Sequence, residues 1–147
     1  MNFQMMDLMR CIIAEHTELD AQQKEFVEKG NNYLNAYNSG HQIALVEPTI
    51  TYLSDYTKKH FVTQEAFMEL HSYPGKEKHV AHHAEYVREV AKWFKTLLQY
   101  KSNNDMTVFD TLCMNICMLI SDWFEFHILQ ADKRLNEFIH YEVNARK

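Results

Sequence analysis

Glycine and proline are scarce in this chain, which has three glycines and two prolines among 147 residues. Turn-rich all-β folds depend on these residues, so the composition favours long uninterrupted helices. No run of 18 apolar residues occurs, and the apolar N-terminal segment is broken by Asp7, Arg10 and Glu15, so we expect neither a membrane span nor a signal peptide. The chain also lacks a basic block and carries a net charge of −5, which argues against a nucleic-acid partner.

Cysteine is also sparse, at three residues, and an odd count cannot form a complete set of disulfides. Cys113 and Cys117 lie one turn apart on one predicted helix, which favours reduced thiols and a soluble, cytoplasmic protein. Apolar residues make up 46% of the chain and charged residues 24%, as in globular proteins. We therefore predict one domain over residues 1–147 that is stable without disulfides, and no particular oligomeric state.

The few breaks in the sequence divide it into four helical segments. Apolar residues recur every three or four positions between the breaks NSG (38–40), SYPG (72–75) and KSNND (101–105), with no sustained alternation of strand type. Short connections between long helices favour antiparallel neighbours. The prediction is an all-α, up-down-up-down antiparallel four-helix bundle, with helices at about 17–37, 47–71, 76–100 and 106–130, the last of which can continue towards the C-terminus.

Five histidines occur within the 24 residues HFVTQEAFMELHSYPGKEKHVAHH, from 60 to 83. At about 100° per residue, His79 and His83 fall on one face of the third helix, and His82 falls at its edge. That face is predicted to carry the core residues of the helix, which are Val87, Val90, Phe94 and Leu97. The pair His79 and His83 is therefore expected to point inward.

The other helices also place polar residues on their predicted core faces. His60 and Gln64 face inward together on the second helix, and His127 aligns with apolar residues of the fourth. On the first helix, Gln23 shares a face with Ile12, Leu19, Phe26, Val27, Gly30 and Leu34. Each buried imidazole needs partners for both nitrogens, and one shared metal ion would satisfy a nitrogen of each. A polar network without metal is the alternative.

Four segments resemble, in order and spacing, the signature segments of the hemerythrins, especially the bacterial ones: DAQQK (20–24), YTKKHFVTQEAFM (56–68), YPGKEKHVAHH (73–83) and DWFEFHILQAD (122–132). The resemblance spans nearly the whole chain. It implies a four-helix bundle that holds two non-haem irons and binds O2 at one of them. Carried over by position, it makes His79, His83 and His127 the ligands of one iron. It makes His60 a ligand of the other iron and Asp132 a carboxylate that bridges the two.

The chain departs from the hemerythrin pattern at two positions on the same side of the predicted site. Gln23 stands where the family has a histidine, and Gln64 stands where it has the second bridging carboxylate. Neutral amides are weaker ligands for Fe(II) than imidazole or carboxylate, so both changes weaken the second metal more than the first. Asp132 itself rests on the resemblance, because an ideal helix places it about 140° from His127.

Three outcomes are open at this altered site. In the first, two irons bind, and the glutamine carbonyls or Glu65 as a substitute bridge complete the pair. In the second, one Fe(II) or Zn(II) binds to the three histidines and Asp132; in the third, no metal binds. The expected function is O2 storage, delivery or sensing, with binding rather than catalysis as the activity. Peroxide or other oxidant chemistry at a single metal, or a metal-free or zinc-bound structural and interaction module, are the alternatives.

Overall fold

The computed structural model describes residues 2–11 and 13–143, and within them it is entirely helical, with no strand. Four helices account for most of this range, as the apolar spacing predicted. In chain order they are α1 (Thr17–Asn38); α2, formed by Val46–Tyr56 and Val62–Leu70 with the π-helical turn Thr57–Phe61 between them; α3 (Lys76–Asn103); and α4, formed by Met106–Asp122, the π-helical segment Trp123–Asp132, Lys133–Phe138 and a last π-helical turn, Ile139–Val143. Ile12, predicted to share the inward face of α1, lies outside the described residues.

The helix ends lie close to their predicted positions, and α4 continues past residue 130 to Val143, in the direction that the sequence indicated. Local signals explain several of them. The His16 side chain accepts a hydrogen bond from the Leu19 N–H at the start of α1, and the Asp105 carboxylate accepts two backbone N–H groups at the start of α4. Asn104 ends α3 in the left-handed conformation, with a φ of 53°.

The helices pack as a ring of neighbours, in which α1 and α3 each contact both α2 and α4. Their apolar faces form two clusters, a large one around Phe26, Tyr86 and Ile120 and a smaller one around Met68 and Leu135. Gln23 on α1, Gln64 on α2 and Asp132 on α4 are buried, and each lies along its helix between a residue of the large cluster and one of the small cluster. The fold therefore contains a polar layer sandwiched between two apolar ones, and this layer carries the candidate site.

The inward face of α3 differs from the prediction at two positions. Val87 and Phe94, predicted to be core residues, are 44% and 37% exposed. Tyr86 and Trp93, each one position earlier, are buried instead, and Val90 is buried as predicted. Large aromatic side chains bury the most apolar area. The helix is therefore rotated so that Tyr86 and Trp93 are buried, and the smaller Val87 lies at the edge of the buried face.

The stretch Met106–Glu142 of α4 is long and apolar enough, by length and composition, to cross a membrane, with a mean hydropathy of 1.3 in its most apolar window. Half of that window is buried inside the bundle, and the core helix of a soluble protein passes the same test.

Cys11, Cys113 and Cys117 are all free, as predicted for reduced thiols.

Candidate metal centre

Three histidines and one aspartate from two helices converge in the polar layer. His79 and His83 come from α3, and His127 and Asp132 come from α4. Each offers one ligand atom, and these four atoms all lie within 4.8 Å of one another. All four side chains are buried, and Asp132 is 0% exposed. Histidine nitrogen and carboxylate oxygen bind metals such as zinc at about 2.0–2.2 Å, and this buried group could hold such an ion.

The π-helical segment Trp123–Asp132 explains how Asp132 reaches this group. In an α-helix, positions five apart differ by about 140°. In a π-helix the backbone hydrogen bond spans five residues, so positions five apart share a face. His127 Nε2 consequently lies 3.1 Å from Asp132 Oδ1. The π-helical turn Thr57–Phe61 carries His60, and such turns are frequent at functional sites.

Asp132 Oδ1 is surrounded by groups that stabilise its negative charge. Gln64 Nε2 donates a hydrogen bond to it at 3.0 Å, and His79 Nε2 lies 3.1 Å away. Burial alone would raise the pKa of Asp132, but its interactions with His127 and His79 outweigh burial and hold that pKa well below its usual range. The centre therefore contains a buried carboxylate charge, which would offset part of the charge of a divalent cation.

Burial also keeps His60, His83 and His127 neutral. It lowers the pKa of His83 to about 2, with help from His79 and His127, and it lowers the pKa of His60 to about 4. The pKa of His127 is lowered by burial as well, against the opposing effect of Asp132. A neutral imidazole retains the lone pair that a metal requires, so these rings are in the protonation state suited to coordination at pH 7.

Two of the rings have a fixed tautomer, because their Nδ1 atoms face oxygen acceptors. His83 Nδ1 donates to Glu65 Oε2 at 2.7 Å, and His60 Nδ1 donates to Gln22 Oε1 at 2.9 Å. Their Nε2 atoms are then free to bind a metal, as in metal sites whose histidines donate the other N–H to an outer acceptor. The sequence predicts no role for Gln22, because this residue lies off the inward face of α1. Its position beside Gln23 is the only feature of the sequence that points to the site.

Several buried polar atoms of the centre lack a hydrogen-bond partner within the part of the chain that the structure describes. These atoms are His60 Nε2, His83 Nε2, His127 Nδ1, Asp132 Oδ2 and His127 Nε2, the last of which faces Asp132 Oδ1 at 3.1 Å without hydrogen-bond geometry. Leaving a buried polar atom unsatisfied costs about 1–3 kcal/mol. An ion bound to the inward nitrogens would remove much of this cost, so the residues present fit a metal.

Aromatic side chains hold three of the imidazoles in place. The stacked pairs, with ring centroids between 3.7 and 4.7 Å apart, are His127 on Trp123, His83 on Phe61 and His60 on Tyr56. Stacking restricts ring rotation, and the apolar surroundings strengthen the electrostatic interactions inside the layer. The centre is therefore organised before any metal arrives.

The other predicted residues lie around this group. His60, Gln64 and Gln23 are buried, as the helical wheels predicted. His60 is not one of the four residues whose ligand atoms lie within 4.8 Å. Glu65 accepts the His83 N–H from the edge of the bundle, with 38% of its side chain exposed, so its use as a bridge stays a prediction.

The four clustered residues are the three histidines that the hemerythrin resemblance gives to one iron and the aspartate that it makes a bridge, and Gln64 contacts two of them, Asp132 and His79. No protein-family model, no curated protein and no solved structure matches the chain. The resemblance to hemerythrins therefore rests on the sequence segments of this chain alone.

Proposed function

We propose that this chain is a hemerythrin-like protein, an up-down-up-down bundle of four antiparallel helices that binds non-haem iron in its polar layer and binds O2 there. The observation that supports this most directly is the buried cluster of His79, His83, His127 and Asp132, in which His83 Nε2 and His127 Nδ1 have no hydrogen-bond partner among the described residues. The three free cysteines fit a reducing, cytoplasmic location.

The donor set suits Fe(II) in both type and charge. Imidazole nitrogens and a carboxylate oxygen are ligands that iron accepts readily, and one buried carboxylate halves the charge of a divalent ion. If His79, His83, His127 and Asp132 held an iron, these four ligands would leave it able to bind a small molecule such as O2 and would supply redox chemistry there. The stacked Trp123 and Phe61 rings keep the surroundings apolar, which favours a neutral diatomic ligand over an anion.

We expect one iron to bind tightly and a second to bind weakly or not at all. Among the ligands that the resemblance gives to the second iron, the atoms without a hydrogen-bond partner in the described structure are His60 Nε2 and Asp132 Oδ2. Gln64 uses its Nε2 to donate to Asp132 and brings no charge, and Gln23 offers only a neutral carbonyl. The function that the hemerythrin resemblance implies for such an asymmetric or single-metal site is O2 binding. Peroxide or another oxidant is the alternative substrate of this site.

A second candidate is a structural zinc site, and the ligand count is the observation that favours it. Three histidines and one carboxylate complete the tetrahedral coordination that zinc adopts in structural sites, with no open position. In that case the centre would stabilise the bundle and present no site for O2. Measuring whether the protein retains iron or zinc therefore distinguishes O2 binding from a structural role.

The test is an absorption spectrum of protein loaded anaerobically with Fe(II), recorded before and after exposure to air and again after removal of oxygen. O2 binding predicts a visible charge-transfer band that appears in air and disappears on degassing. Iron-loaded protein that stays colourless in air, while zinc is retained more tightly, would contradict the proposal. Consumption of hydrogen peroxide with a spectrum that does not reverse would favour oxidant chemistry instead.

A further inference from the structure

A groove with a cavity volume of about 520 Å³ lies between α3 and α4 and ends at the candidate centre. Its floor includes His127, one of the four clustered residues, and Trp123, which stacks on it. On the α3 side it is lined by His82, which is half-buried and whose ring centroid lies 5.8 Å from that of His127. The groove thus connects the surface to an otherwise buried ligand.

The groove carries negative charge that nothing lining it compensates. Glu85 and Glu89 line it from α3 and Asp122 lines it from α4, and no lysine or arginine lines it among the described residues. Glu85 and Asp122 are exposed and form no ion pair in the described part of the chain, whereas Glu89 faces Lys92 at 3.6 Å. A cleft with one sign of charge and low-dielectric walls concentrates counterions and raises their association rate.

The inner end of the groove has an unsatisfied ligand. His127 is 3% exposed; its Nδ1 has no hydrogen-bond partner in the described structure, and its Nε2 faces Asp132 Oδ1 at 3.1 Å without hydrogen-bond geometry. His60 and His83 differ, since their Nδ1 atoms are held by Gln22 and Glu65. Of these three rings, His127 is the one that combines an unpaired Nδ1 with a position in the groove, so it is the first buried ligand that an ion in the groove would meet.

A second, smaller opening has the opposite charge. A cavity of about 60 Å³ reaches His79 and is lined by Lys78 and Arg134. Cationic side chains repel metal ions, so this opening is unsuited to a cation, while His82 lines both cavities and separates them. The charge distribution therefore distinguishes one approach to the centre from the other.

We infer that His82, Glu85, Glu89 and Asp122 form a capture site that binds a hydrated divalent transition-metal ion and passes it to His127. Imidazole and carboxylate together suit Fe(II), Zn(II) and Co(II), and exposed carboxylates bind such an ion weakly enough to release it. This inference rests on the proposed metal centre, and it concerns how fast the centre fills rather than how tightly it holds the ion.

The test uses Co(II) and the metal-free full-length chain, mixed rapidly at low ionic strength, with the visible absorption of coordinated cobalt as the signal. Glu85→Gln/Asp122→Asn is compared with Glu28→Gln/Asp110→Asn, which removes the same charge at exposed positions outside the groove. We expect the groove variant to load about tenfold more slowly than the wild type, with the same final absorbance, and the control within twofold of it. High salt should remove the difference.

The two proposals fail in different ways. Equal loading rates for the wild type and both variants, with cobalt bound in all three, would overturn the capture site and leave the metal centre intact. Equal slowing by both variants would also overturn it, because net charge and not the groove would then set the rate. Absence of bound cobalt in the wild type would overturn the metal centre and the capture site together.

Discussion

At the scale of single residues, the outer acceptors decide which nitrogen of each ring is available. Glu65 takes the Nδ1–H of His83, and Gln22 takes that of His60, so both rings present Nε2 to the interior. An ionised acceptor also makes the ring a better donor to a metal, whereas a neutral amide contributes less. The two rings therefore differ in ligand strength although both are buried and stacked.

Replacing the outer carboxylate should weaken metal binding without removing a ligand. We expect Glu65→Gln to lower the affinity for Fe(II) about tenfold, measured by competition with a coloured chelator under anaerobic conditions. Glu69→Gln is the matched control, one turn further along α2, where the carboxylate pairs with Lys76 at the surface. If the two variants bind Fe(II) equally well, Glu65 does not act through His83.

Gln64 should determine how many metals the layer holds. Gln64→Glu combined with Gln23→His restores an anionic and an imidazole ligand on the side of His60, so we expect the retained metal to rise from one ion per chain to two. Elemental analysis after removal of free iron gives the count. Gln130→Glu, an exposed change of the same charge, should leave it at one. A count of one in the double variant would show that the second position is lost for other reasons.

At the scale of helices, the sequence predicts the elements better than the local geometry. Regular apolar spacing indicated four helices and the inward direction of His79 and His83, because these depend on repeated 100° steps. Asp132 could not be derived in this way, since the steps change inside the π-helical segment. The exposure of Val87 was also missed, because a wheel does not weigh it against the larger neighbouring Tyr86.

The π-helical segment should be the part of α4 that responds most to metal. Its turns pack less favourably than α-helical turns. Because the ligands His127 and Asp132 lie within this segment, metal binding should suppress its local unfolding. We expect amide hydrogen exchange at Trp123–Asp132 to slow at least tenfold on Fe(II) loading, and Met106–Asp122 to change little. Asp132→Asn, which removes the anionic ligand, should lose this protection. Equal protection along all of α4 would contradict a local effect.

At the scale of the whole molecule, the buried histidines of the candidate centre lower the stability of the metal-free protein at acidic pH. Buried neutral histidines resist protonation in the folded state but not in the unfolded chain. The pKa of His60 falls from 6.5 to about 4 on folding, so between these values the unfolded state binds more protons and stability decreases as the pH falls.

The free energy of unfolding of the metal-free protein should therefore drop between pH 6.5 and pH 4, with His60 contributing up to about 3 kcal/mol. Denaturant titrations at several pH values measure this. His60→Gln should flatten the decrease, and His41→Gln, at an exposed histidine, should not. A stability that is constant or rises toward pH 4 would contradict the neutral, buried state of these rings.

The decisive measurement is the number of iron ions that each chain retains after anaerobic loading with Fe(II) and removal of free iron. A centre built from His79, His83, His127 and Asp132 predicts one tightly held iron in the wild type, and less than a tenth of that in His127→Gln, with His71→Gln unchanged because it lies outside the clustered residues. No retained iron in the wild type, or equal retention in both variants, would show that these four residues do not form the metal site.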